Sequence, residues 1–386
     1  MTLLDLPSAR QEGWRGSNLA ALPDLAGREP LGRVPDALPW LDGYGDGPRL
    51  LFVDGKLAAE QSNPGAIDVG PVEAEPRDHA LARLVGPDGW RLRMGRDHAP
   101  QGLVQIVHVS TGGADHLPAE VSLEADAQAS IVETYIGSGW TNRLSQFRLA
   151  RGARLMLHRR LLGEAGFVSL TDRAELCEGA SFVAATLAAG GADSRLDGDI
   201  RLTGEAAFAE AAAALLARGS QRHDANLVVR HWARGGTSRQ VWRSVADDQA
   251  ICSVAARVEV ARDAQKTDGE QSLKGIMLSR TATINAKPEL EIFADDVKCA
   301  HGATVGELDR RALFYLESRG IPPEEAKALL TRAFVADALE RIGEESVREA
   351  FYRDADAWFA KSPSLVPSPS TPPPASLEMN SVEGRS

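Results

Sequence analysis

The stretch DDVKCAHGATVGELD, residues 295–309, sets a thiol and an imidazole two positions apart, at Cys299 and His301. Successive side chains of a strand alternate faces, so as a strand it puts Val297, Cys299 and His301 on one face. A thiolate and a neutral imidazole together can hold a borderline metal such as iron. They supply two ligands and not four, so water or another chain must complete such a site. The same pair can be read as a nucleophile and its base. Against that, Cα atoms at i and i+2 of a strand stand about 7 Å apart, and nucleophile–base pairs are usually built from separate elements. The plainest alternative is core, because a free cysteine serves well as a small apolar side chain.

Little else in the chain announces chemistry. There is no GxxxxGK followed by Ser or Thr, no HExxH, no GxSxG and no GxGxxG after a strand. Without the phosphate loop the chain is not expected to bind or hydrolyse ATP itself. The eight histidines are scattered. The three cysteines, Cys177, Cys252 and Cys299, lie far apart and form no CxxC pair. So sparse and odd a count argues against a disulfide framework and for a reducing compartment. It also cannot supply four thiolates to an iron–sulfur cluster. A diffuse net charge of −11 disfavours nucleic acid and anionic membrane surfaces as partners. The opening MTLLDLPSARQEGW lacks the apolar run of a signal peptide, and no stretch reaches the length of a membrane span. A cytoplasmic, soluble protein is the expectation.

Four regions must position these residues. Residues 1–95 are rich in Pro and Gly and read as mostly helical pieces, with a short hairpin where RLLFVDGKLAAE turns at Asp54-Gly55. Residues 96–305 alternate short apolar runs with turns, as in GLVQIVHVS, ASIVETYIG, ARLMLHRRLL and SFVAATLAA. Gly152, Gly179 and Gly204 recur at intervals of 27 and 25 residues, room for two short strands and two turns. That spacing suits the stacked rungs of a parallel β-helix, and an ordinary β-sandwich equally well. The Ala-rich GEAAFAEAAAALLARG, residues 204–219, has helical propensity, yet small side chains also fit inside a narrow coil. Residues 306–361 turn helical. Asp309 is an N-cap and Gly320 a stop, and a stripe of Ala326, Leu329, Leu330, Ala333, Phe334, Ala338 and Leu339 follows a 3.6-residue period. Those helices need something to pack on, either the chain's own β-domain or a partner. Residues 362–386 cluster Pro and Ser and read as a disordered tail.

AQKTDGEQ, NAKPELEIFADDVKCAHGATVGELD and LFYLESRGI stand in order between residues 264 and 334, with EGWRGSNLAAL and LFVDGKL as weaker echoes upstream. On these residues the chain resembles the SufD branch of the SufB/SufD family, from the bacterial SUF iron–sulfur cluster assembly machinery. The resemblance implies a right-handed parallel β-helix with helical N- and C-terminal regions. It implies a non-catalytic scaffold that pairs with a SufB-like protein and docks the SufC-like ATPase. Docking falls on the C-terminal helical region, here Leu313, Phe314, Tyr315, Leu316, Arg319, Gly320 and Ile321. It places His301, with Cys299 second, at the SufB interface as half of a site for iron or a nascent Fe–S cluster, with reduced flavin as a companion in the complex. SufB-like chains show EHEA where this chain has CAHGA, which favours the SufD side. Departures are Ala256, where relatives carry Gly, and Lys274-Gly275 within an apolar run. Lys266, Thr267 and Asp268 match the family motif and suit a turn better than chemistry. A β-helix enzyme acting on polysaccharide is the competing class. Such enzymes are usually secreted and line a groove with aromatics, which are only 5% of this chain.

Overall fold

The computed structural model of the chain describes residues 5–8, 10–44, 47–76, 79–362 and 365. Its nineteen described strands form a ten-stranded and a nine-stranded sheet, and the chain passes from one to the other at every half-turn. Neighbours within a sheet are therefore a whole rung apart in sequence. Arg154 lies beside Ser181, Ser181 beside Phe208, Phe208 beside Thr237, Thr237 beside Asp268 and Asp268 beside Lys298. Among the described residues, antiparallel pairing is confined to the first 94. The result is a parallel β-solenoid of about seven turns, the β-helix alternative of the sequence and not the sandwich.

One corner repeats with little change. Asp126, Gly152, Gly179, Ala206, Gly235 and Lys266 all have positive φ, between 55° and 69°, and each stands two residues before a strand of the ten-stranded sheet. The backbone N–H of each donates to the corner carbonyl of the next rung: Asp126 to Arg151, Gly152 to Glu178, Gly179 to Glu205, Ala206 to Arg234, Gly235 to Gln265 and Lys266 to Asp296. Two of the three glycines singled out in the sequence, Gly152 and Gly179, mark this corner. The third does not, since its place is taken by Ala206. Gly204 is needed for close approach: a Cβ there would stand 1.9 Å from the backbone nitrogen of Glu178. The Lys266-Thr267-Asp268 turn reading fits this corner too, with Thr267 buried and its hydroxyl donating to the Ala264 carbonyl at 2.8 Å.

The Ala-rich segment is the strand Phe208–Ala217. Its inward alanines, Ala209 and Ala213, join the solenoid core, while Ala212 and Ala214 lie under the C-terminal helices. Small side chains on both faces let the layers approach, and tertiary context overrides helical propensity. The interior is not wholly apolar. Arg159 sits between Glu133, at 2.5 Å, and Asp172. Burial alone would raise the Glu133 carboxyl, but Arg159 and His108 outweigh it and hold it down at about 2.

The N-terminal region departs from expectation. Four helical pieces are described there, none longer than the five residues of α1, Leu22–Ala26. Strands Arg49–Val53, Lys56–Leu57, Ile67–Pro71 and Asp88–Met94 extend the two sheets instead. Pro and Gly recur too often for a helix to outgrow its costly nucleus. The Asp54-Gly55 hairpin forms, with both residues at positive φ.

The C-terminal helices are α2, Arg310–Ser318, α3, Pro323–Leu339, and α4, Glu345–Phe359. Asp309 caps α2 by accepting from the Arg311 N–H at 2.8 Å. Helices α3 and α4 cover the outer face of the ten-stranded sheet through Val335, Leu339, Phe351 and Trp358, with Ile342 from the turn between them. The buried face of α3 follows the expected stripe in part, with Ala326, Ala338 and Leu339 buried and Leu330 and Phe334 half-buried. Ala328, Thr331 and Val335 are buried, and Leu329 and Ala333 are exposed. Leu329, Leu330, Ala333, Phe334 and Val335 leave α3 apolar on several sides, so periodicity could not choose between them. Of the tail expected from residue 362, Ser362 and Leu365 are described and anchored. Both are buried, and the Ser362 hydroxyl donates to Asp247 at 2.5 Å; the rest lies outside the described residues.

The corner geometry makes two opposite substitutions informative. Ala206→Gly should stabilise the chain by about 1 kcal/mol, since only glycine adopts the left-handed region freely. Gly204→Ala should destabilise it by about 1–3 kcal/mol through overpacking. Equilibrium denaturation in urea checks both signs.

Candidate half-site at the open end of the solenoid

The last rung is made of strands Thr283–Ile292 and Lys298–Gly306. Each is the edge of its sheet, and neither has a described strand on its far side. The rung is built as the sequence predicts, strand, bend, strand, with the bend at Asp295-Asp296. Of the two acids, Asp296 is drawn away into an ion pair with Lys266.

Strand alternation and register fix which side chains face the mouth. In the preceding strand Gly269, Gln271, Leu273 and Gly275 are buried, while Glu270 and Lys274 are exposed. Their register partners in the last strand are Cys299, His301, Ala303 and Val305, so these four face the interior at its uncovered end. From the other sheet Ile284, Ala286, Pro288, Leu290 and Ile292 lie in register over Cys252, Val254, Ala256, Val258 and Val260, all buried. The mouth is thus an apolar slot with one thiol and one imidazole. Ile292, Phe293 and Val305 are among the large apolar side chains it leaves exposed. Ala256 and Gly275, two departures from the family pattern, cause no register break; a Cβ on Gly275 would meet Ile284 at 2.7 Å.

Val297, Cys299 and His301 share one face. Val297 and Cys299 are half-buried against the cluster of Val258, Val260, Ala264 and Ala294, and His301 is exposed. Gly269, beneath Cys299, leaves the space that its sulfur borders. Burial pushes the Cys299 thiol up; the Gly269 backbone N–H opposes that and the Asp268 carboxylate adds to it. Among the described residues no group of three or more His, Cys, Asp or Glu could hold a metal together. A metal on Cys299 and His301 would draw its remaining donors from outside the described residues. Sequence reasoning missed what lies below: Gln271, buried directly under His301, and Gln240 under Gln271. Steps of 31 and 30 residues join the three, a period visible once the rung length is known.

The residues expected to meet an ATPase form a separate surface. No residue of α2 is buried. Leu313, Leu316 and Ile321 are half-buried; Phe314, Tyr315, Arg319 and Gly320 are exposed, Phe314 to 71%. The Arg319 guanidinium lies over the Tyr315 ring, 5.2 Å from its centroid. Gly320, at φ 88°, ends the helix.

Residues 109–334 match the family model described as SUF system FeS cluster assembly, SufBD core domain. The chain belongs to the SufBD family. That match spans the solenoid from its early rungs through the mouth and into α3. Across the longer span, the chain is 25% identical to the iron-sulfur cluster assembly protein SufD of Escherichia coli, over 89% of this chain and 87% of that protein. It is 29% identical to the SufD of Bacillus subtilis over 41% of this chain and 36% of that one. A SufBD family protein of Synechocystis is 40% identical over 28% of this chain and 24% of its own length. The family thus carries the β-solenoid and an assembly role, and the relatives are named as assembly proteins. No described helix is long and apolar enough to cross a membrane.

The three free thiols of this SufBD-family chain should differ in reactivity. Cys177 is exposed, Cys299 half-buried, and Cys252 fully buried with its thiol pushed up to about 12. Since the thiolate is the nucleophile, alkylation by iodoacetamide at neutral pH should run Cys177, then Cys299, then Cys252. Peptide mass spectrometry over time reads the order.

Proposed function

We propose that this chain is the SufD-type scaffold of an iron–sulfur assembly complex, and that its open end pairs with a SufB-like protein. Cluster or its iron is the cargo there. One observation carries this reading: the solenoid stops with both sheet edges unpaired and apolar side chains exposed around the only thiol and imidazole at the mouth. An unpaired parallel edge is a template for another chain's strand. A two-donor half-site is what one subunit contributes when a second supplies the rest.

In the same reading the exposed aromatic pair on α2 docks a SufC-like ATPase, which holds the nucleotide that this chain has no loop to bind. Association of two ATPase copies, one on each scaffold subunit, would shift the helical regions and open the covered mouth, a rigid-body switch at an interface. Three free cysteines suit a reducing cytoplasm.

Two experiments test it. The chain is co-expressed anaerobically with SufB- and SufC-like partners, and iron and sulfide are assayed in the purified complex. His301→Ala should remove most of both while leaving the complex assembled; full iron and sulfide would make the mouth purely structural. Phe314→Ala and Tyr315→Ala should each weaken ATPase co-purification by about 2 kcal/mol or more, the scale of aromatic anchors at an interface. Undiminished recovery of the ATPase with the double substitution would place its docking elsewhere.

A further inference from the structure

Three buried amide atoms below the mouth need an account. Gln240, Gln271 and His301 are successive register partners in the ten-stranded sheet. Both glutamines are 1% exposed. The Gln240 side-chain nitrogen donates to the Arg257 carbonyl at 3.0 Å. Its oxygen, Oε1, meets no partner among the described residues, and neither does Nε2 or Oε1 of Gln271. Buried polar groups are nearly always paired, because one left alone forfeits the hydrogen bonds it made to water.

From these atoms we infer that Gln240 and Gln271 form an interior relay that orients His301. Its polarity is fixed at the far end. A backbone carbonyl only accepts, so Gln240 presents Nε2 to Arg257 and keeps Oε1 for the next rung. Strands within a sheet lie about 4.8 Å apart, so Gln271 can turn Nε2 toward that oxygen. Its own Oε1 is then left facing the one inward side chain in register above it, His301. An amide oxygen accepts, so the imidazole nitrogen that meets it carries the hydrogen. The other nitrogen keeps its lone pair and points out of the mouth. His301 is exposed in the uncovered chain, and the relay closes when a partner seals the end. A histidine that binds a metal almost always donates its second nitrogen to such an acceptor, which fixes the tautomer. Gln271 and Gln240 are positioning residues; neither touches the cargo. The inference deepens the half-site reading and rests on it only for what His301 holds.

The test uses the complex with SufB- and SufC-like partners, with this chain alone carrying isotope-labelled histidine. Ring nitrogen chemical shifts report the His301 tautomer, and Fe(II) affinity is read by competition with a chelator. Gln271→Met should leave assembly intact, mix the two His301 tautomers, and lower Fe(II) affinity by about 10–100-fold. Gln271→Glu keeps an acceptor and should retain a single tautomer. Gln240→Met breaks the relay one rung deeper and should also mix the tautomers, which covers the case in which Gln271→Met does not fold. An unmixed tautomer in a folded Gln271→Met or Gln240→Met complex overturns the relay. If His301→Ala removes iron while neither glutamine variant changes the tautomer, the half-site stands and the relay falls. If the tautomer responds but His301→Ala keeps its iron, the relay stands and the half-site falls.

Discussion

The corner bond that runs from each rung to the next, from Asp126 to Lys266, is the interaction on which the rest of the molecule depends. A single rung has two short strands and no interior of its own. Its backbone groups are satisfied by the rungs on either side, and its inward side chains are buried only when those rungs are present. The corner holds successive rungs at one spacing through left-handed residues that glycine adopts freely and that Asp126, Ala206 and Lys266 adopt at a cost. With that spacing fixed, columns such as Leu155, Phe182 and Ala209 stack as one core.

The same dependence produces the mouth. The last corner donor, Lys266, bonds to Asp296, and beyond that rung the ladder has no successor. The thiol and imidazole stand where interior stacking runs out, so they face inward by geometry and outward by exposure. A conventional cavity would have to be hollowed out of a packed core. Here the concave surface is the uncovered cross-section of the core itself, and the buried glutamines beneath it belong to the same columns.

Much of this was legible in the residues. The short runs GLVQIVHVS, ASIVETYIG, ARLMLHRRLL and SFVAATLAA each contribute a strand, and the rung period showed in Gly152 and Gly179. Gly204 misled because glycine serves two purposes, a left-handed turn and close backbone approach, and sequence alone does not separate them. Residues 204–219 were ambiguous because alanine suits a helix and also a strand pressed on both faces. The placement of α3 was legible only in part, since its apolar residues surround much of the helix and the sheet below selects one side. Cys299 and His301 could be put on one face from strand alternation, but their facing the interior required register, a relation between residues about thirty positions apart. The Gln240–Gln271–His301 column was invisible for that reason.

The two ends of the stack are unlike. At the N-terminal end both sheets finish in antiparallel strands, the two-residue Lys56–Leu57 and the Pro-ended Ile67–Pro71. Short edges and proline are poor templates for further pairing. A body adhesive at both ends would add copies without limit and grow into a filament. One able to pair at a single end would be used up by its first partner, so on the proposed reading assembly through this surface would stop at a closed pair.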